Sequence, residues 1–187
     1  MKTIYYYQSF CGLEKLYSHI QDIDTIILSS IHFSSYKNDP YIHLNNYDPD
    51  SPRFDNVWIE LQKVYEQGVE IILMVGGEGG AYGALFSNFD LYYPLLFKLL
   101  RKYPFISGID LDIEEGVNIN DVKKLIDTLI KDFGEDFTIT MAPVADSLMT
   151  DGSSMGGFSY KELYNCLLYT SDAADDMQCV DLGGRRI

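Results

Sequence analysis

Residues 105–115 read FISGIDLDIEE, an apolar run in which carboxylic acids recur at every second position. Side chains on a strand alternate between its two faces, so Asp110, Asp112 and Glu114 would share one face. The isoleucines and the leucine between them would occupy the other face. On a helix, Asp112 would point away from the other two acids. The spacing therefore predicts a strand that carries three carboxyl groups in one column.

The column has an electrostatic consequence. Like charges at this spacing disfavour each other's ionisation, so at least one acid should hold a proton near neutral pH. General acid catalysis requires such a group. Two other interpretations are an edge strand with water-facing acids, and a site for magnesium or calcium, which carboxylates bind. The strands before and after this segment in the sequence are apolar, which argues against an edge strand with water-facing acids. No histidine or ligand spacing supports the second, so we predict no metal and no cofactor.

Strand-like and helix-like stretches alternate on both sides of this segment. The five predicted strands span residues 3–7, 24–33, 69–75, 105–113 and 137–141. The four predicted helices span residues 11–22, 56–67, 90–103 and 120–133, the last with an asparagine cap and a stop at Gly134. The polar stretch 34–54 is predicted to be a long functional loop. Apolar strands separated by helices predict a parallel α/β sheet. The alternation of strands and helices alone does not decide between an open doubly wound sheet and a closed barrel.

The acidic strand resembles the signature of glycoside hydrolase family 18, Asp-x-x-Asp-x-Asp-x-Glu, at the end of the fourth barrel strand. Asp110, Asp112 and Glu114 match its last three acids, also on the fourth predicted strand. The run 74–77, Met-Val-Gly-Gly, is similar to the family's third-strand ending, and 141–143, Met-Ala-Pro, to its fifth-strand ending. The resemblance implies the N-terminal part of a (β/α)8 TIM barrel, with about five of eight β/α units present.

Two positions depart from the family pattern. Ser107 stands where the family has the first acid, and its hydroxyl is expected to donate a hydrogen bond towards Asp110. Met74 replaces the usual serine of the third strand and is expected to alter the packing beneath the site.

The resemblance implies an enzyme that hydrolyses β-1,4-linked N-acetylglucosamine glycans, chitin or chitooligosaccharides, by retaining, substrate-assisted catalysis. Glu114 would protonate the glycosidic oxygen, Asp112 would orient the sugar's 2-acetamido group as nucleophile, and Asp110 would tune Asp112. Three alternatives remain. These are a chitinase-like lectin, an endo-β-N-acetylglucosaminidase acting on N-glycan cores, and a metal-dependent barrel hydrolase. Lectins of this type usually lack the acid, so Glu114 favours catalysis.

Sugar contacts are expected at the C-terminal ends of the strands, where barrels of this kind place their sites. Tyr7, Phe33, Gly77 and Met141 lie at or near these ends and are the predicted substrate-binding residues. The glycine-rich run 76–80 lacks the Lys-Ser/Thr of a phosphate loop, so it predicts close backbone approach instead. The three histidines form no local motif and receive no role.

The composition narrows the function classes. The chain has 187 residues, with 14 basic against 28 acidic ones and a net charge of -14. A nucleic-acid partner needs a basic surface, so none is expected. No apolar run of about 18 residues predicts a membrane span. No secretory signal is visible at the N-terminus, which gives a cytoplasmic location as the default expectation. The sequence predicts no oligomeric state.

The end of the chain differs in character from the rest. Residues 166–176 resemble a translated transposase mosaic end, and residues 179–187 resemble the translated flow-cell adapter that follows it in sequencing libraries. The expected division is therefore a truncated family 18 catalytic barrel over 1–165 and a non-native tail over 166–187. An unfinished barrel has unpaired strand edges, so the polypeptide as written is expected to be insoluble or inactive.

Overall fold

The computed structural model describes residues 2–149 and 155–171. Its sheet contains the strands β1 (Ile4–Tyr7), β2 (Thr25–Tyr36), β3 (Asp39–Leu44), β4 (Glu70–Gly76), β5 (Ile106–Asp112) and β6 (Thr138–Met141). Five of them are parallel neighbours in the order β1-β2-β4-β5-β6, and β3 pairs with β2 in the antiparallel sense. The parallel strands curl into a partial barrel, which confirms the predicted fold class.

Helices connect the parallel strands, as the alternation predicts. Two 3₁₀ segments span Glu14–Asp22 and Pro52–Phe54, and the α-helices are α1 (Asp55–Tyr65), α2 (Tyr82–Ser87), α3 (Phe89–Lys102), α4 (Ile119–Phe133), α5 (Ala145–Met149) and α6 (Tyr160–Ser171). The predicted caps of α4 are present. The Asn118 side chain accepts from the Asn120 amide at 2.9 Å, and Gly134 ends the helix with φ 92°. No helix in the described ranges has the length and apolar character needed to cross a membrane.

The two faces of the sheet bury different side chains. Ile109 and Leu111 are fully buried in the main core, which also contains the apolar side of α4. The opposite face carries a small separate cluster of Ile27, Ile72 and Met74. Met74 is the β4 partner of Asp110 in the parallel register. Paired residues share a face, so the acidic column lies on the inner face of the partial barrel.

The prediction of a long loop over residues 34–54 is wrong for its first half. β2 continues to Tyr36, and Lys37 and Asn38 turn the chain with φ of 51° and 65°, the conformation of a tight two-residue hairpin. β3 then returns along β2, with Tyr36 opposite Asp39. The turn lacks glycine, and Pro40 lowers the strand signal. Proline is tolerated here because β3 lies at the edge of the sheet.

The predicted boundary at Asn165 falls inside α6. Leu163 and Leu167, on either side of it, are both buried. Residues 172–187 lie outside the described part of the chain, so the division at residue 165 stays a prediction.

Candidate active site

Asp110 forms the buried end of the acidic column. Its side chain is 1% exposed, and its two hydrogen-bond partners come from the neighbouring strand β6 and from the more distant strand β1. The Thr140 hydroxyl donates to Oδ1 at 2.5 Å, and the Tyr6 hydroxyl donates to Oδ2 at 3.4 Å. Burial raises the pKa of Asp110, and both hydrogen bonds oppose that rise by stabilising the carboxylate. Asp110 is thus a buried acid that neighbouring strands keep hydrogen-bonded.

Asp112 follows at the C-terminal end of β5 and is half-buried. Burial, then the charge of Glu114, then that of Asp110 raise its pKa from the ordinary 3.8 to about 6. The two charge contributions are the electrostatic consequence expected of a carboxyl column, and burial makes the larger contribution. Together they place an acid that exchanges its proton near neutral pH at the mouth of the partial barrel.

Glu114 lies just beyond the end of β5, and its side chain is exposed. The column therefore grades from a buried acid through a half-buried acid to an acid in solvent. A substrate that enters from the C-terminal ends of the strands would meet Glu114 first and Asp112 next. Asp110 would act only through its neighbours.

The end of β4 is pressed against this column. The Gly77 amide donates to the Asp112 carbonyl oxygen at 2.9 Å. A β-carbon on Gly77 would lie 3.3 Å from Asp112 Oδ2, and one on Gly76 would overlap the Asp112 carbonyl oxygen. Both glycines have positive φ, 96° at Gly76 and 83° at Gly77. The close backbone approach predicted for the run 76–80 is present at its first two residues.

Sequence reasoning missed Glu115. Its carboxylate accepts hydrogen bonds from three successive backbone amides, those of Ala81 at 2.5 Å, Tyr82 at 2.6 Å and Gly83 at 3.1 Å. Local sequence carries no signal for this contact, since the amides lie more than thirty residues upstream.

Three of the four predicted sugar-binding residues lie away from the column. Tyr7, Phe33 and Met141 are buried in the main core, on the face of the sheet opposite Asp110. The Tyr7 hydroxyl accepts from the Gly12 amide at 3.0 Å, and the Phe33 ring packs against Tyr92. Proximity to a strand end does not specify the face of the sheet, which is why these three side chains lie on the face opposite Asp110.

Gly77 is the predicted binding residue that lies beside the column, and Tyr6 is a residue in contact with the column that the sequence analysis did not name. In β1 the alternation that buries Tyr7 turns Tyr6 towards Asp110. The period of two could have identified Tyr6, had the inner face been known.

The expected contact between Ser107 and Asp110 is absent. The Ser107 hydroxyl donates instead to the Ile71 carbonyl oxygen at 3.2 Å, across the β4–β5 pair. Ser107 lies three residues nearer the N-terminal end of β5, where a register shift separates it from the column. Met74 does pack beneath the site: the Ser29 hydroxyl contacts its sulfur at 3.0 Å, and its methyl group lies close to Gly77.

The β2–β3 hairpin brings together two histidines to which the sequence assigned no role. The His32 and His43 rings stack with centroids 5.5 Å apart. The His32 Nδ1–H donates to the Gly80 carbonyl oxygen at 3.0 Å, which attaches the hairpin to the glycine-rich run 76–80. Within residues 2–149 and 155–171, no group of three or more His, Cys, Asp or Glu side chains is arranged to hold a metal ion.

Comparison with solved structures gives strong matches. A chitinase from Aspergillus fumigatus is 31% identical with a TM-score of 0.80, and the match covers 88% of this chain and 62% of that one. A fungal endo-β-N-acetylglucosaminidase of glycosyl hydrolase family 18 is 29% identical with a TM-score of 0.78, again over 88% and 62%. A family 18 chitinase from Pseudoalteromonas aurantia, 21% identical, matches in fold with a TM-score of 0.63 over 84% and 61%.

The chain thus spans about three fifths of the length of these three solved structures. No protein-family model matches the chain, and a search of curated proteins finds no match.

Proposed function

We propose, from the premise that this chain has the chitinase-like fold of glycoside hydrolase family 18, that the whole protein hydrolyses β-1,4-linked N-acetylglucosamine glycans. The observation that carries the proposal is the graded column at the end of β5. Asp110 is buried, Asp112 is half-buried with its pKa raised to about 6, and Glu114 is exposed. A family 18 fold with this acid set supports retaining, substrate-assisted catalysis.

Glu114 is the proposed general acid, because it is the member of the column that a glycosidic oxygen can reach from solvent. In the first step the acetamido carbonyl oxygen of the substrate attacks the anomeric carbon. The bond to the leaving oxygen breaks, and that oxygen takes the Glu114 proton. In the second step Glu114, now a carboxylate, removes a proton from water as the water attacks the same carbon. The attack reopens the oxazolinium ring and restores the original configuration.

Asp112 is the proposed partner of the acetamido group. Its carboxyl accepts the acetamido N–H, which aims the carbonyl oxygen at the anomeric carbon. When ionised it also offsets the positive charge that develops on the ring formed in the first step. A raised pKa suits this role, because the group can share a proton with Asp110 before that charge develops.

Two glycan classes fit the proposed chemistry. The chitinase and the endo-β-N-acetylglucosaminidase match this chain at almost equal identity, 31% and 29%, so the core of an N-glycan is the second candidate substrate. Both substrates contain a β-1,4 bond between N-acetylglucosamine units.

The test is hydrolysis by the full-length protein of two substrates, N-acetylchitotetraose and a high-mannose glycopeptide. Cleavage of the first with a β-anomeric product supports the proposal. Cleavage of the glycopeptide alone moves the substrate to N-glycan cores. Binding of either sugar without cleavage would make the protein a lectin. Loss of cleavage in EDTA would replace the proposed mechanism with a metal-dependent one.

A further inference from the structure

Glu115 follows the candidate acid directly, and its carboxylate is an anchor for another part of the chain. It accepts from the amides of Ala81, Tyr82 and Gly83, with Oε1 taking the first two and Oε2 the third. These amides open α2, and the first amides of a helix have no partner within it. A carboxylate is the acceptor that such amides bind best. The anchor therefore joins the end of β5 to the start of α2.

The space around the carboxylate is shaped to admit it. A β-carbon on Gly80 would lie 3.0 Å from Glu115 Oε1, and one on Gly83 would lie 2.9 Å from Oε2. Both distances are shorter than normal carbon–oxygen contacts. Glycine at these two positions thus leaves the room that the carboxylate fills.

Two other contacts hold the same segment against the barrel. The buried Tyr82 donates its hydroxyl to the Val75 carbonyl oxygen at 2.8 Å, and the Gly77 amide donates to the Asp112 carbonyl oxygen at 2.9 Å. The segment 76–83 is consequently tied to Val75 in β4 and to Asp112 in β5. Glu115 adds the tie that lies next to Glu114.

Glu114 depends on such support. Its side chain is exposed, and among the described residues none donates a hydrogen bond to its carboxylate. Its position relative to Asp112 is set by the backbone that carries it, and that backbone is fixed on one side by β5 and on the other by the Glu115 anchor.

We propose that Glu115 is a positioning residue, which holds the backbone at residue 114 so that the Glu114 carboxyl stands at a fixed distance above Asp112. The catalytic consequence rests on the proposed function, while the anchor itself does not. Loss of the anchor should leave the Glu114 carboxyl present but change its position relative to Asp112. A displacement of about 1 Å at a reacting group costs up to about 10²-fold in rate.

The experiment compares Glu115→Ala, Glu115→Gln and Glu78→Ala in the full-length protein. Glu78 is the matched control, an exposed glutamate in the run 76–80. The measurements are kcat and KM on N-acetylchitotetraose, and amide hydrogen exchange at residues 81–83. We expect Glu115→Ala to lower kcat by about 10²-fold with KM nearly unchanged and to speed exchange at the three amides. Glu115→Gln should fall between, because its amide oxygen still accepts from Ala81 and Tyr82 while its N–H₂ faces the Gly83 amide. Glu78→Ala should change neither quantity.

Faster exchange in Glu115→Ala with wild-type kcat would overturn the positioning role, and unchanged exchange would overturn the anchor itself. If the wild-type protein hydrolyses neither glycan, the proposed function fails and the positioning role falls with it. The exchange data would still decide whether the anchor exists. If Glu115→Ala does not fold, Glu115→Gln is compared with the wild type in the same way, by its kcat and by amide exchange at residues 81–83.

Discussion

The Thr140 hydroxyl donates a 2.5 Å hydrogen bond to Asp110 across the β5–β6 pair, where the two residues are direct partners in the register. Asp110 is almost completely buried, and a buried carboxyl is costly unless it is hydrogen-bonded. The contact explains how the partial barrel accommodates an acid in its interior, beneath the groups proposed to act on the substrate.

Thr140→Val should therefore weaken the fold, and more so at alkaline pH. The variant keeps the shape of the side chain but removes the donor, which raises the pKa of Asp110 further and leaves its ionised form without its shortest hydrogen bond. We expect the free energy of unfolding to fall by about 2 kcal/mol at pH 8 and by less at pH 4. Urea denaturation of the full-length protein measures both. Thr128→Val is the control, because the partly exposed Thr128 hydroxyl in α4 donates only to the Lys124 carbonyl oxygen, and an equal loss in the two variants would deny Thr140 this role.

Glu114→Gln should abolish most of the turnover while leaving the fold intact. The amide cannot donate the proton that the leaving oxygen needs, and positioned acid–base catalysis contributes about 10² to 10⁴-fold in rate. Because Glu114 is exposed, the thermal unfolding midpoint of the Glu114→Gln variant should stay close to that of the wild type. Steady-state hydrolysis of N-acetylchitotetraose gives the rate, with Glu78→Gln as the control. Near-normal hydrolysis by Glu114→Gln would remove Glu114 from the role of general acid.

Asp112→Asn should stabilise the folded protein at neutral pH and impair hydrolysis. The pKa of Asp112 is raised from 3.8 to about 6, so the folded state favours the protonated carboxyl. The stability that this preference provides is complete below pH 3.8 and is lost as the pH rises through about 6. Asparagine is neutral throughout. Its free energy of unfolding should exceed the wild-type value by roughly 1 kcal/mol at pH 7.5, after allowance for solvent screening, and by little at pH 3.5.

Denaturation at the two pH values checks the first half of this prediction, with the exposed Asp136→Asn as control. Sugar affinity and turnover check the second, since binding should survive while hydrolysis falls. A stability difference that does not change with pH would contradict the raised pKa of Asp112.

Local patterns account for the parts of the fold that the sequence predicted. The alternation at Asp110 and Asp112 requires a strand, and the apolar runs on either side require buried ones, so the five parallel strands were predicted close to their observed bounds. The hairpin after β2 was not predicted, because Lys37 and Asn38 form its turn without glycine. Whether the five strands and the hairpin could be predicted thus depends on the residues within each strand or turn.

The contacts of the site depend on tertiary structure and could not be predicted in the same way. Tyr6 and Tyr7 are identical in kind and adjacent in sequence, and only the curl of the sheet decides which one meets Asp110. The amides that bind Glu115 come from the start of α2, which follows a different strand, β4. Pairwise contacts of this type have no local signature, whereas the column of acids has one.

The predicted division of the chain at residue 165, between a family 18 barrel and a non-native tail, can be tested by sequencing the source gene. We expect a long sequencing read across codon 165 of the source gene to depart from the printed sequence there and to continue into further strand–helix units. The reason is that residues 166–176 and 179–187 resemble two library sequences in their natural order. A gene that encodes residues 166–187 contiguously would instead make α6 native to its last residue, Ser171.

Gly76→Ala should disrupt the site far more than Gly79→Ala, although both glycines have positive φ, 96° and 101°. Alanine in this conformation costs about 1–2 kcal/mol at either position. At Gly79 a β-carbon would meet nothing within 4 Å. At Gly76 it would overlap the Asp112 carbonyl oxygen and lie 2.7 Å from the Tyr82 ring, so β4 and β5 would have to separate.

The difference between the two variants therefore isolates the close approach of the strands from the cost of the backbone conformation. We expect Gly76→Ala to lose about 2 kcal/mol more than Gly79→Ala in the free energy of unfolding, because overpacking a rigid contact costs about 1–3 kcal/mol. Hydrolysis should fall in Gly76→Ala alone, since separation of β4 from β5 moves Asp112. Equal losses in the two variants would mean that the strand ends yield to a methyl group, and that the tight β4–β5 contact does not position Asp112.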